Sequence, residues 1–327
     1  MTALPSGAEP LADPRAIFDE ILSGNVDDAE IARFLVALAD RGETVDEIVG
    51  AARALRSRMV AVAVPEAAVD VCGTGGDGAH TLNISTAVAI VVAACGVPMA
   101  KHGNRAASSK SGAADVLSAL GLKLDLEPDR VEASIREIGI GFLFAARHHP
   151  VMARVAPVRR ALKRRTIFNL LGPLANPGGV KRQLVGVFSP EWTQPLAAAL
   201  GDLGAERALV VHGADGLDEL SVTGPSEAAF FSGGTVTAQT ITPADANLTE
   251  HSLDALRGGT PEENAAALLR LLDGETGAYR DVVVLNAAAA LMVAGRAETL
   301  AEGAEHAHIA LDEGLARKKL EEWRQFA

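Results

Sequence analysis

The chemistry-bearing residues of this chain gather in three polar segments punctuated by glycine. The first, Gly73-Thr74-Gly75-Gly76-Asp77-Gly78, leads through Thr81 into Asn83-Ile84-Ser85-Thr86. Glycines let a backbone adopt left-handed angles and press its amides against a ligand, most often phosphate. Asn83, Ser85 and Thr86 add side-chain donors beside the free amides of a helix start, a second place for an anion. The second segment runs Lys101-His102-Gly103-Asn104-Arg105-Ala106-Ala107-Ser108-Ser109-Lys110-Ser111-Gly112. Its cations, amide and hydroxyls suit a loop that closes over a polyanion and screens it from water. The third, His212-Gly213-Ala214-Asp215-Gly216-Leu217-Asp218-Glu219, ends in adjacent carboxylates. Mg²⁺ takes carboxylate oxygen together with water and substrate phosphate, so Asp218 and Glu219 are candidate metal ligands. Taken singly, each feature also reads as a turn, a cap or a solvated loop; their recurrence after successive strands favours chemistry.

Three such loops need a scaffold that brings them to one rim. The first 60 residues predict three helices, with Asp13-Pro14 as cap and first-turn proline, Asp27 and Glu30 as a capping pair, and Thr44 and Glu47 as a capping box. Ile31, Phe34, Leu35 and Leu38 recur at helical spacing, so this segment buries one face against the larger unit or a second subunit. From Ala68 onward, Val-rich runs at 69–72, 97–100, 140–145, 184–188, 208–212 and 282–285 read as strands alternating with helices. Residues 222–242 form a strand-rich excursion, Ser189-Pro190 and Thr260-Pro261 open helices, and the tail from Glu298 is helical. The fold class is therefore α/β, with a mainly parallel sheet covered on both faces. Parallel strands present their C-terminal ends at one edge, where the three loops can meet.

Composition bounds the alternatives. The 327 residues, 48% hydrophobic but only 4% aromatic, predict an aliphatic core and about two domains. Cys72 and Cys95 are too few for a disulfide framework, and a reducing cytoplasm is the expected compartment. No signal-peptide pattern opens the sequence, and the apolar stretch at 87–95 falls far short of the ~20 residues of a membrane span. A net charge of −12 disfavours nonspecific nucleic-acid binding. Residues 147–182 nevertheless hold nine Lys or Arg and no Asp or Glu, a local excess that suggests a bound anion. His148 and His149 are adjacent and the other histidines scattered, so a zinc site is not expected. Walker, dinucleotide and Gly-x-Ser-x-Gly motifs are absent.

The stretches GTGGDG (73–78), NIST (83–86), KHGNRAASSKSGAADVL (101–117), GFLFA (141–145), PVRRAL (157–162), RTIFNLLGPLANP (165–177) and HGADGLDELS (212–221) together resemble the anthranilate phosphoribosyltransferase family. That resemblance implies a homodimer that joins anthranilate to phosphoribosyl pyrophosphate in tryptophan biosynthesis, with a fold similar to that of pyrimidine nucleoside phosphorylases. It implies a helical domain of residues 1–66 joined by an inserted segment at about 162–182, beside an α/β domain of 67–161 and 183–327. Phosphoribosyl pyrophosphate would be bound by Gly73, Gly76, Asp77, Thr81, Asn83, Ile84, Ser85, Thr86, residues 101–109 (Lys101, His102, Gly103, Asn104, Arg105, Ala106, Ala107, Ser108, Ser109) and Ala113. Gly73, Asn104 and Arg159 would contact anthranilate, and Ser85, Asp218 and Glu219 would hold two Mg²⁺ per subunit. Ala113 stands where many relatives carry serine, Ala146 where proline is usual, and Lys163 where glycine is usual.

Residue chemistry leads the same way. Breaking the ribose C1 bond to pyrophosphate builds negative charge on the departing oxygens, which a metal, oriented amides, Lys101 and Arg105 would stabilise. Arg159 can pair bidentately with a carboxylate and turn the aromatic amine toward C1. Positioning is then the main demand, and no essential general base is expected, with His102 the weak candidate for one. Two other readings are a nucleoside phosphorylase, disfavoured by the Asp218-Glu219 pair and the PVRR and NLLGPLANP segments, and a noncatalytic nucleic-acid binder, disfavoured by the acidic chain.

Overall fold

The structure is a computed structural model describing residues 3–106 and 110–326. Strands β1 (Val69–Gly73), β2 (Met99–Gly103), β3 (Ile140–Phe144), β4 (Arg182–Gly186) and β5 (Arg207–Gly213) run parallel. The excursion anticipated at 222–242 supplies β6 (Ser226–Ser232) and β7 (Thr235–Ile241), which extend the sheet antiparallel. Spatial order is β3-β2-β1-β4-β5-β6-β7. The chain builds outward from β1 to β3, then returns to the opposite side of β1 for β4. Loops leaving β1 and β4 therefore diverge, and a crevice opens outside their C-terminal ends, where α/β sheets bind ligands.

Strand alternation explains the layers. Val69, Val71, Leu184, Leu209 and Val211 enter one core with helices Ile84–Ala94, Ala278–Ala294, Leu300–Asp312 and Leu315–Phe326. Cys72, Val185, Val187, Ala208 and Val210, offset by one residue, enter another on the opposite face. That second core contains helix Thr193–Asp202 and the N-terminal helices Pro14–Leu22, Asp28–Arg41 and Val45–Arg56. Their caps are those the sequence predicts. Asp13 and Asp27 accept the amides of Ala16 and Glu30, and Thr44 with Glu47 closes a capping box. Thr260 and Glu263 do the same for helix Pro261–Leu272.

Two expectations change. Residues 282–285 are not a strand but lie inside helix Ala278–Ala294. Nearly every side of that helix is buried, so its Val run lacks the polar face that gives a helix its period; its 17 residues are also too long for a strand. Ser189-Pro190 opens a single 3₁₀ turn, Pro190–Trp192, before the helix starts at Thr193.

The Phe18 ring lies edge-on to Phe34 and to Phe168, each with centroids 6.0 Å apart, and so links the N-terminal helices to the segment before β4. Fully buried, Phe18 has no room for solvent to replace it. Phe18→Ala is expected to cost about 3–5 kcal/mol in urea unfolding; a loss below about 1 kcal/mol would contradict this packing.

Candidate active site

The glycines that end β1 and β4 are paired neighbours, Gly73 beside Gly186. Between them sits Asp218, delivered by the loop after β5. A Cβ on Gly73 would lie 2.2 Å from Asp218 Oδ2, and one on Gly186 would lie 1.5 Å from the Asp218 carbonyl oxygen. Only glycine at both strand ends leaves space for this loop. The Gly75 amide then donates to Asp218 Oδ2 at 2.7 Å, which joins the glycine-rich turn to the acidic loop. Thr74 fixes that turn to the neighbouring strand: its amide donates to the Gly186 carbonyl at 2.9 Å, and its Oγ1 accepts the Phe188 amide at 3.0 Å. Arg165 donates to the Gly76 carbonyl while its guanidinium lies 4.0 Å from the Phe188 ring centroid.

The acidic loop is braced from within. Asp215 accepts the hydroxyls of Ser221 and Thr223 at 2.6 and 2.7 Å. Asn286, fully buried on helix Ala278–Ala294, accepts the Leu220 amide at 3.0 Å and donates to the Leu220 carbonyl at 2.8 Å. This holds both polar groups of the residue after Glu219. Burial pushes the carboxyls of Asp218 and Glu219 well above the ordinary range; the charge of Asp77 adds to the effect at Asp218, and that of Asp218 at Glu219. The Gly75 and Ser85 amides and the Lys101 charge oppose that rise without cancelling it. Like charges held at fixed positions with little access to water are the setting that a bound cation stabilises. The donors are all oxygen, including the Ser85 hydroxyl at the start of helix Ile84–Ala94, and fit a hard metal ion. Among the described residues no three His, Cys, Asp or Glu side chains surround one point. Such a site leaves the ion's remaining positions to water and phosphate, as Mg²⁺ prefers.

Helix Ile84–Ala94 begins where the glycine-rich turn ends. Thr81 bridges to Arg257, Ile84 is buried, and the Thr86 hydroxyl is buried without a hydrogen-bond partner among the described residues. Asn83 exchanges hydrogen bonds with Ser111, its Nδ2 donating to the Ser111 carbonyl and its Oδ1 accepting from Ser111 Oγ, both at 3.2 Å. The first and second loops thus face each other. Asp115 organises the second by accepting from Arg105 at 2.9 Å and from the Ala106 and Gly112 amides at 2.8 and 3.0 Å. Asn104 is exposed, and Ala113 opens helix Ala113–Ala119 against Gly103. Ala107, Ser108 and Ser109 lie outside the described residues.

Successive residues of β2 point to opposite faces, which separates Lys101 from His102. Lys101 is buried, its ammonium donates to the carbonyls of Val71 and His102 at 2.7 and 3.3 Å, and its charge acts on Glu219. The His102 ring packs edge-on against His149 at 5.2 Å, and burial holds its basicity far below normal. Arg159, on helix Ala156–Leu162, is half-buried with its guanidinium 5.7 Å from the Phe168 centroid. It has no carboxylate partner among the described residues. The basic stretch does not form one patch. Arg147 pairs with Asp125 and Glu127, Arg154 with Asp28, Arg164 with Asp40, and Lys181 and Arg182 with Glu206.

Gly186, Asn286 and Asp115 escaped the sequence reading, and Arg165 entered it only as a member of the basic stretch. A glycine closing a Val-containing strand next to β1 was the one signal available for Gly186; the others are identified only by tertiary contact.

Fold and crevice define a glycosyltransferase of two parts. Residues 65–317 match the glycosyl transferase family a/b domain and residues 12–59 its helical bundle domain. The chain is 56% identical to the anthranilate phosphoribosyltransferase of Novosphingobium aromaticivorans over 325 residues, covering 99% of this chain and 98% of the relative. The crystal structure of the Thermus thermophilus enzyme of that name superposes with a TM-score of 0.93 at 46% identity, covering 98% of this chain and 96% of that one. The Saccharomyces cerevisiae enzyme in complex with PRPP and Mg gives 0.87 at 28% identity, covering 98% and 93%. The chain belongs to the anthranilate phosphoribosyltransferase family.

The geometry makes two outcomes measurable. Gly186→Ala forces the Asp218 backbone aside and is expected to lower turnover by about 100-fold with the circular-dichroism spectrum unchanged; near-normal turnover would contradict the seating of Asp218. Burial lowers His149 to about 4 from 6.5, so the unfolded chain takes up that proton first. Stability contributed by the neutral ring is complete above pH 6.5 and falls toward pH 4, by up to about 1.4 kcal/mol per pH unit. Urea unfolding at about pH 7 and about pH 4.5 should show His149→Gln losing less stability than the wild type, and equal losses would contradict it.

Proposed function

We propose that this chain transfers the 5-phosphoribosyl group of phosphoribosyl pyrophosphate to the amine of anthranilate, releasing pyrophosphate, as a step of tryptophan biosynthesis. The observation that carries the reading is the seating of Asp218 between Gly73 and Gly186, in hydrogen-bond contact with the glycine-rich turn. Near full-length likeness to enzymes of that name supports it. So does the yeast relative, seen with PRPP and Mg and with 4-fluoroanthranilate.

In this reading the amides of Gly73 and Gly76, Asp77, Thr81, and the helix start at Asn83, Ile84, Ser85 and Thr86 hold phosphoribosyl pyrophosphate. Gly103, Asn104, Arg105, Ala106 and Ala113 border it, with Lys101 and His102 in the strand beneath; Ala107, Ser108 and Ser109, assigned to the same substrate, lie outside the described residues. Ser85, Asp218 and Glu219 would hold two Mg²⁺ per subunit, which when bound offset the negative charge developing on the pyrophosphate. Lys101 adds fixed charge from below, and Arg105 adds it from the loop once released from Asp115. Arg159, without a carboxylate partner of its own among the described residues, pairs with that of anthranilate, while Gly73 and Asn104 border the ring. No residue is needed as an essential base, because the amine attacks a carbon that is losing a good leaving group, and His102 is too buried and too weakly basic for that role.

We assign residues 1–66 with the segment at 162–182 to a helical domain, a division supported by the Phe18–Phe168 contact. A homodimer through this domain and a cytoplasmic location complete the reading. The two free cysteines, and the lack of any helix among the described residues long and apolar enough to cross a membrane, are in keeping with that location.

Anthranilate fluorescence followed with phosphoribosyl pyrophosphate should decay only when Mg²⁺ is present. Asp218→Asn is expected to reduce that rate about 100-fold or more, and His102→Ala to keep it within about tenfold of wild type between about pH 6 and 9. A wild-type protein that leaves anthranilate unchanged, or a His102→Ala variant that binds both substrates yet is inactive at every pH, would contradict the assignment.

A further inference from the structure

Behind Asn83 lies a relay of amides whose direction is set by a backbone group. The Gly259 amide can only donate, and gives its hydrogen to Asn264 Oδ1 at 2.7 Å. Asn264 Nδ2 must therefore face the other way, where it donates to Asn83 Oδ1 at 2.8 Å. With Oδ1 so committed, Asn83 turns its own Nδ2 toward the second loop and the Ser111 carbonyl. The Tyr279 hydroxyl donates to the Asn83 carbonyl at 3.3 Å and steadies the backbone as well. An isolated asparagine amide can flip without changing shape, and would present oxygen as readily as nitrogen. Toward a phosphate the two are opposite in sign, since N–H attracts the anion and C=O repels it. Asn264 is 1% exposed and sits on helix Pro261–Leu272, remote in sequence from the three loops.

We propose that Asn264 is a positioning residue for phosphoribosyl pyrophosphate: anchored by the Gly259 amide, it locks the Asn83 side chain with its NH₂ group turned to the Ser111 carbonyl of the second loop, from where its remaining hydrogen meets the anion. The inference rests on the assignment of Asn83 to that site. It gives helix Pro261–Leu272 a part in substrate binding although Asn264 stands behind the side chain it orients.

The test is a double-mutant cycle on KM for phosphoribosyl pyrophosphate, using Asn83→Ala, Asn264→Ala and the pair at saturating anthranilate. Asn83→Ala is expected to raise this KM about tenfold or more, and Asn264→Ala about three- to tenfold. On the Asn83→Ala background, Asn264→Ala should add less than about twofold, because its effect passes through the missing side chain. KM for anthranilate should stay within about twofold for Asn264→Ala. Asn264→Asp keeps the acceptor for Gly259 but opposes oxygen to Asn83 Oδ1, and should raise KM for phosphoribosyl pyrophosphate further than the alanine variant. Effects of Asn83→Ala and Asn264→Ala that multiply in full, or equal rises in both KM values, would overturn the proposal by showing that Asn264 acts on the fold at large. So would failure of both Asn264 variants to fold where Asn83→Ala folds. An Asn83→Ala enzyme with unchanged KM for phosphoribosyl pyrophosphate would instead remove the site assignment beneath the proposal, a separate failure from the first.

Discussion

The site depends on the absence of two side chains. At the point where the strand order reverses, β1 and β4 both end in glycine, and the Asp218 loop occupies the volume that two Cβ atoms would fill. A methyl group on Gly186 overlaps the Asp218 backbone, which no side-chain rotation relieves, and one on Gly73 displaces the Asp218 carboxylate from its place against the turn. Because the same loop is tied at Leu220 to the buried Asn286 of helix Ala278–Ala294, it cannot retreat without breaking paired hydrogen bonds in the core. The acids are held at the crevice by packing, and their mutual repulsion is what a cation would relieve in the proposed reading.

This arrangement divides the work between the faces of the sheet. Side chains of odd-numbered residues in β1 and β2, with Lys101 among them, serve the acidic loop, while even-numbered neighbours place His102 among His149, Asp70 and Asn176 on the opposite face. One histidine and one lysine adjacent in sequence thus have unrelated surroundings, the His102 ring packing on His149 while the Lys101 ammonium meets the Val71 carbonyl. Arg159 approaches from the helical side, so the cation suited to a carboxylate and the loops suited to a diphosphate come from separate layers.

Much of this was readable from the chain alone. Caps at Asp13, Asp27, Thr44 and Thr260 are local chemistry, and two of the three glycine-punctuated loops follow strands, β1 and β5, whose valines identify them, whereas β2 lies two to three residues beyond the expected 97–100 run. Where the reading failed, the deciding forces are not local. The run at 282–285 looked like a strand because a helix buried all round carries no polar stripe. Within the basic stretch, Arg147, Arg154, Arg164 and Lys181 are neutralised by Asp125, Asp28, Asp40 and Glu206, which lie elsewhere in sequence, so the local charge excess overstates how many cations face a ligand. Gly186 and Asn286 matter only through what packs on them, and spacing along the chain does not encode that.

The central claim is that the Asp218-Glu219 pair and the glycine-rich turn form one compartment completed by a hard cation. Anomalous diffraction from crystals grown with Mn²⁺ and phosphoribosyl pyrophosphate tests it most directly. The account predicts an anomalous peak ligated by Asp218 or Glu219 and by diphosphate oxygen, with the diphosphate against the 73–78 turn. Manganese bound away from both carboxylates, with the substrate ordered in the crevice, would contradict it.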